Sequence, residues 1–417
     1  YAGRLVLQEY DPVKKEMTGP VQDIYKADKI FLEGPHIFKH GKWYYLFSAD
    51  TGTGEGHGQT IQRSENIWGP YEMYRADFME RASESEAYSI LTSRHHEEIL
   101  LQKSGHCDLV ETPEGEWYAV HLCGRASEER NPADAARFPN CRRYILGRET
   151  AVQKMKWTED GWLVMECGGN TPQTEVEMPK RGDGKAQTES TEAVETAVGF
   201  DGGARETQFI RDDFNGPKLH LDYQSLRIPM DGNHISLKER PGYLRMYGRS
   251  GLSSKFSQTL IARRMTEYYM EASACMEFEP EVFKQMAGLV LMYDTDNYLY
   301  LHVSRDEDVG KCVTLLKAEN KKYEYLTDYL PLEPGREVYL KLTINGSKAQ
   351  FFYGYQEGEW EKAVGAVNIG FLSDEACAEG WFTGTMIGIC CQDLTGFGRY
   401  ADFDWFEVGA VRKKRDG

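Results

Sequence analysis

The chain has 417 residues, of which 12% are Tyr, Phe or Trp and 41 are Gly. That is length for about two or three domains, and it favours many short strands on glycine turns over helix bundles. The formal charge of −17 speaks against nucleic acid or an anionic membrane surface as partner, since both need a basic patch, and no run approaches the roughly 18 apolar residues of a membrane span.

Tyr1-Ala2-Gly3-Arg4-Leu5-Val6-Leu7-Gln8-Glu9-Tyr10 is a strand already under way, with no initiator Met and no signal peptide. Position 1 is therefore expected not to be the natural start. Next comes Phe31-Leu32-Glu33-Gly34-Pro35-His36, followed by Gly41-Lys42-Trp43-Tyr44-Tyr45-Leu46. Gly34 and Pro35 fix the backbone after Glu33, so its carboxyl can be held at a strand end instead of lost on a mobile loop. A carboxylic acid held near aromatics can have a raised pKa, which suits a general acid near neutral pH. The competing reading of this segment alone is a surface Glu at a turn.

The same pattern returns about 70 residues later. Gly105-His106-Cys107-Asp108-Leu109-Val110 leads into Gly115-Glu116-Trp117-Tyr118-Ala119-Val120, and a weaker echo runs from Trp157 to Trp162 around Glu159-Asp160-Gly161. Strand, glycine turn and Trp-Tyr strand is a hairpin signature, and its recurrence predicts β-propeller blades over 1–168. Two similar hairpins in an all-β sandwich are the alternative. Residues 169–206 change to Gly, Thr, Glu, Lys and Pro and are expected to be a linker or long exposed loop. From Phe209 onward, runs such as Gly288-Leu289-Val290-Leu291-Met292-Tyr293 and Tyr298-Leu299-Tyr300-Leu301-His302-Val303 predict a β-sandwich over 207–417. Nine cysteines without metal-ligand spacing point to a reducing compartment, and Cys390-Cys391 to two buried thiols on opposite faces of one strand. The basic cluster Arg412-Lys413-Lys414-Arg415 is expected to be a solvated tail.

Taken together these segments resemble the family 43 glycoside hydrolases, in the β-xylosidase branch with a C-terminal concanavalin-like sandwich. The resemblance rests on Glu33-Gly34-Pro35-His36, Gly52-Thr53 with His57, Thr60-Ile61-Gln62-Arg63-Ser64, Gly105-His106-Cys107-Asp108-Leu109-Val110 and Leu146-Gly147-Arg148-Glu149-Thr150. It continues in Arg211-Asp212-Asp213-Phe214, Gln285-Met286-Ala287-Gly288-Leu289, Asn297-Tyr298-Leu299-Tyr300-Leu301-His302, Phe382-Thr383-Gly384 and Ala401-Asp402-Phe403-Asp404. It implies an all-β chain, a partial five-bladed propeller followed by a concanavalin-like β-sandwich. It also implies hydrolysis of glycosides with inversion by a base, a second Asp and a Glu acid, the acid and base standing roughly 6.5–9.5 Å apart. Glu33 falls on the acid's position. Both aspartates belong to strands that precede residue 3 in the family's order, so the chain is expected to lack the first blades, either by truncation or because another polypeptide supplies them.

The resemblance places four further residues at the sugar. Arg148 is implied to hydrogen-bond the deepest subsite, where a planar guanidinium suits adjacent hydroxyls; the competing reading is a salt bridge to Glu149. His106 is implied to line the pocket or to meet a calcium ion through water, and a hydrogen-bonded core histidine is the alternative. Thr53 matches a pocket-lining hydroxyl, with simple turn duty as its rival. Phe382 matches an aromatic sent by the sandwich towards the catalytic mouth, against a plain core role. Most of Trp43, Tyr44, Trp117 and Tyr118 are expected to be blade core. No resident metal or cofactor is expected, with calcium as the alternative, because no Asp-rich loop offers its oxygen ligands.

The expected function is an inverting exo-β-xylosidase with α-L-arabinofuranosidase side activity on xylo-oligosaccharides, cytoplasmic, with this chain carrying the acid and not the base. A catalytically incomplete carbohydrate-binding protein, or the structural half of a split enzyme, is the alternative. Expected partners are the xylo-oligosaccharide and either a second copy of the chain or a chain supplying the missing blades, with no nucleic acid and no membrane.

Overall fold

Each Trp-Tyr hairpin closes as an antiparallel pair in the computed structural model, which describes residues 4–27, 31–75, 89–94, 96–132, 141–180, 209–378 and 382–411. The expected linker beyond residue 180 and the basic cluster at 412–415 lie outside the described residues. Every named element is a strand. Contacts divide the chain into two units, Tyr1–Ala126 with Arg148–Gly202, and Ser127–Gly147 with Gly203–Gly417. Residues 127–147 therefore sit inside the span expected to be propeller yet pack with the second unit.

In the first unit β1 (Arg4–Asp11) and β2 (Glu16–Lys26) form a two-stranded sheet. A second sheet follows the order β3 (Leu32–His40), β4 (Trp43–Asp50), β5 (Gly58–Ser64) and β6 (Glu72–Met73), with β7 (Ser89–Thr92) also on β5. The third is a four-stranded meander of β8 (Leu101–Glu111), β9 (Trp117–Arg125), β10 (Glu149–Trp157) and β11 (Leu163–Met165). Successive small antiparallel sheets are what stack as propeller blades.

Alternation along these strands puts one set of aromatics on one face. Phe38 stacks on Tyr45 at 5.2 Å, Tyr45 meets Trp157 edge-on at 5.1 Å and Trp157 meets Trp117 at 5.5 Å. Such pairs add about 0.5–1.5 kcal/mol each beyond the area they bury. Arg63 lies between Trp43 and Trp162, 4.4 and 4.0 Å from their ring centres, and Tyr118 is buried. The hairpin aromatics are blade packing, as their alternation predicts. The first residues of the expected linker run along the third sheet, where Gln173 N–H donates to Gln153 Oε1 at 2.9 Å and Tyr118 Oη donates to the Glu177 carbonyl at 3.1 Å.

The second unit is a pair of antiparallel sheets. Nine strands make one: β12 (Phe209–Asp212), β13 (Ile235–Ser236), β14 (Leu244–Tyr247), β16 (Tyr269–Glu277), β22 (Val338–Asn345), β23 (Lys348–Gln356), β24 (Glu359–Lys362), β25 (Val367–Asn368) and β27 (Tyr400–Ala410). Seven make the other: β15 (Thr259–Arg264), β17 (Gln285–Asp294), β18 (Asn297–Asp306), β19 (Gly310–Glu319), β20 (Lys322–Tyr325), β21 (Leu330–Pro331) and β26 (Met386–Asp393). Ala272, Ala274, Leu340 and Phe403 from the first sheet share one core with Leu289, Leu299, Leu301 and Ile389 from the second. The other face of the seven-stranded sheet is buried as well, through Val290, Met292, Tyr300 and Cys390 with Leu252. That double burial is why β17 and β18 are continuous apolar runs instead of strict alternations. Cys391 faces the first core and Cys390 the second, on opposite faces of β26 as expected.

The second unit also includes a segment that lies in the sequence between β9 and β10. Ile145 and Leu146 are fully buried in its main core. Tyr144 N–H donates to Glu375 Oε2 at 2.9 Å, Thr385 N–H to the Ile145 carbonyl at 2.9 Å, and Arg264 Nη2 to the Leu146 carbonyl at 2.6 Å. Gly147 has φ +69°, and a Cβ there would stand 2.3 Å from the Gly384 nitrogen.

Candidate active site

Glu33 pairs with Ala49 across β3 and β4, and the register then slips before His36 pairs with Phe47. The slip is a bulge at Gly34-Pro35, with Gly34 at φ +55°, and it re-aims the strand at the half-buried Glu33. The equivalent strand of the next hairpin, β8, is bulged on both sides of Gly105, with Lys103 and His106 each at φ +53°. Bulges at matching places in two hairpins bring these segments together. A Cβ on Gly34 would stand 2.1 Å from His106 Nε2, so the imidazole lies directly on the glycine.

A second histidine lies behind the first. A Cβ on Gly105 would stand 2.6 Å from His57 Cδ2, and the His57 and His106 rings are 6.2 Å apart. His57 is fully buried, its Nδ1–H donating to the Gly52 carbonyl, while among the described residues its Nε2 has no hydrogen-bond partner. Burial pushes the His57 imidazole down to about 4, the Gly52 bond opposes this, and the nearby His106 and Arg148 charges add to the push. It is a neutral acceptor in the ordinary pH range.

Thr53 is at the tip of the connection from β4 to β5. Its carbonyl accepts a hydrogen bond from Arg148 Nη2 at 2.7 Å. The competing salt bridge of Arg148 to Glu149 is not what forms. Glu149 is held instead by Arg125, whose Nη2 donates to Oε1 at 2.8 Å and whose Nε donates to Oε2 at 2.9 Å, a bidentate fork of the strong kind. Glu33, His106, Thr53 and Arg148 all belong to the first unit, with His57 linking the first pair to the second. Phe382 belongs to the second unit, where it is 40% exposed at φ +82° and its N–H donates to Asp374 Oδ1 at 3.3 Å.

Of the other carboxylates near these motifs, Asp50 and Glu149 are held by arginines. Asp50 is fully buried and accepts from Arg94 Nη2 at 3.0 Å and Thr51 Oγ1 at 2.6 Å. Asp108 is exposed, 3.9 Å from His36 Nδ1. Calcium asks for six to eight oxygen ligands. Among the described residues no group of three or more His, Cys, Asp or Glu could hold a metal ion. His57 and Arg94 escaped the sequence as site residues. His57 was visible only as part of a motif, and nothing local marks Arg94, whose partner lies 44 positions away.

Comparison with known proteins follows the same division of the chain. Residues 1–163 match the family described as Glycosyl hydrolases family 43, and residues 211–409 match the Beta xylosidase C-terminal Concanavalin A-like domain. The Xylosidase/arabinosidase 43B of Humicola insolens is 35% identical over 423 residues, which cover 99% of this chain and 70% of that protein. The Beta-xylosidase of Bacillus subtilis (strain 168) is 34% identical over 409 residues, covering 97% of this chain and 70% of that protein. Among solved structures, the xylan beta-1,4-xylosidase from Bacillus Halodurans C-125 superposes with a TM-score of 0.82 at 38% identity, over 97% of this chain and 70% of that one.

Proposed function

The chain belongs to glycosyl hydrolase family 43 and is a glycoside hydrolase; we propose that it acts as an inverting exo-β-xylosidase with α-L-arabinofuranosidase side activity, and that Glu33 is its general acid. The observation that carries the reading is Glu33 on a bulged strand end, its next residue seated under His106, in the unit where Arg148 is held on Thr53. A fixed carboxyl can protonate the glycosidic oxygen as it leaves, and a fixed guanidinium can hold the sugar's hydroxyls while it does so. The names of the relatives, β-xylosidases and a xylosidase/arabinosidase, support the substrate class. The cytoplasm as the location is part of the same proposal; nine cysteines without metal-ligand spacing fit a reducing compartment.

Xylobiose hydrolysis followed by proton NMR tests it. Inversion at a β-linkage releases α-xylose first, which then mutarotates. Initial release of β-xylose, or no release of xylose, would remove the reading.

A second reading is a sugar-binding chain whose base is supplied by another polypeptide. The ion pairing of Asp50 and Glu149 favours it, because neither carboxylate is at liberty to activate water. Purified 1–417 should then hydrolyse 4-nitrophenyl β-xyloside negligibly. Turnover that Glu33→Ala abolishes would show that a carboxylate of this chain serves as base.

A further inference from the structure

The connection from β4 to β5, residues 51–57, is held at more points than a seven-residue turn requires. It leaves β4 with Thr51 and Gly52 in the left-handed region, at φ +66° and +64°, a conformation a β-branched residue adopts only under constraint. Thr51 N–H donates to the Phe31 carbonyl at 2.9 Å, and His57 N–H to the Gly54 carbonyl at 3.1 Å. Across the loop, the His57 ring donates to Gly52 and Thr92 Oγ1 donates to the His57 carbonyl at 2.7 Å.

Arg94, just past β7, spans the whole loop. Its Nη2 donates to Asp50 Oδ2 at 3.0 Å and to Thr51 Oγ1 at 3.1 Å, and its Nε donates to the Gly56 carbonyl at 3.0 Å. The guanidinium is 7% exposed and the Asp50 carboxylate not at all. A pair that only tied two strands together would need the carboxylate alone. This one reaches past it to both ends of the loop, and a single planar fork fixes three directions at once. The one described side chain outside the loop that uses its tip is Arg148, on the Thr53 carbonyl.

We propose that Arg94 and Asp50 are positioning residues for Arg148: the buried pair sets the loop, the loop sets the Thr53 carbonyl, and that carbonyl aims the Arg148 guanidinium at the sugar in the deepest subsite. The inference rests on Arg148 being a sugar ligand, as argued under the function. Arg94 itself touches no substrate. Lysine at this position keeps the charge beside Asp50 but presents one point donor, which cannot serve Asp50, Thr51 and Gly56 together.

The test is a double-mutant cycle in the active enzyme carrying this chain, reading kcat/KM on 4-nitrophenyl β-D-xyloside and the inhibition constant of xylose. Arg94→Lys should lower kcat/KM about tenfold and weaken xylose by a similar factor, whereas in an Arg148→Ala background it should change either by less than about twofold. Asp50→Asn, which keeps the shape and loses the charge, should show the same collapse and serves if Arg94→Lys does not fold. Equal losses in both backgrounds would mean that the pair supports the fold alone, and the proposal would fail while Arg148 kept its role. If Arg148→Ala leaves xylose inhibition unchanged, the sugar-ligand reading falls and takes the proposal with it.

Discussion

At the residue scale the chemistry turns on one carboxyl and the glycine after it. Glu33 makes the last β3 pair before the bulge, and Gly34 supplies both the positive φ of the bulge and the bare surface on which His106 lies. Any side chain at 34 would meet the imidazole, so two neighbouring residues serve the site in different ways, one by its carboxyl and one by having no Cβ. In the active enzyme Glu33→Ala should slow xylobiose far more than a dinitrophenyl xyloside, because general-acid assistance contributes about 10²–10⁴-fold and an activated phenol needs little of it. Equal losses on the two substrates in steady-state assays would remove Glu33 from the acid role. The motif around Glu33 was legible because Gly-Pro after a carboxylate is a local signal; His106 was legible because its hairpin repeats the first.

At the scale of elements, the segment 141–147 departs most from its place in the chain. It is flanked in sequence by β9 and β10 of one blade, yet Ile145 and Leu146 fill the sandwich core and three hydrogen bonds to Glu375, Thr385 and Arg264 hold its backbone. Leu146→Ala should therefore destabilise the second unit by about 2–5 kcal/mol, the usual range for emptying a packed leucine site. Hydrogen exchange resolved by segment should show protection lost in β16, β17 and β26 while β3–β5 keep theirs. Loss confined to the blades would contradict the packing. No period or composition marks this insertion, because a three-residue apolar run, Tyr144-Ile145-Leu146, looks the same whichever core it enters.

At the scale of the whole chain, histidines are buried in both units. His57 and His121 in the first and His302 in the second are each pushed down to about 4, burial being the largest cause. With the folded value below the ordinary 6.5, the unfolded chain binds protons that the native state refuses. Stability from these groups is thus fully present above pH 6.5 and is lost as pH falls towards 4, at most on the order of 3 kcal/mol per group. Melting temperature measured from pH 7 to 4.5 should fall, and His302→Gln should flatten the slope. An unchanged slope in that variant would show that His302 takes up its proton in the folded state.

What the sequence determined by itself was whatever short-range pattern can encode. The strands and turns of the Trp-Tyr hairpins, the strand runs of the sandwich and the Glu33-Gly34-Pro35-His36 motif each lie within windows of about ten residues, where the alternation of side chains and turn chemistry act directly. The order of motifs along the chain then carried the family. Only the tertiary structure decided which charges meet. Glu149 could have paired with adjacent Arg148 and instead pairs with Arg125, Asp50 finds Arg94 across 44 positions, and Ile145 and Leu146 enter the core of the other unit. The physical reason is the same in each case. Pairing of buried charges and filling of a core depend on distances between strands that are far apart in sequence, and no local preference distinguishes one partner from another until the sheets have set those distances.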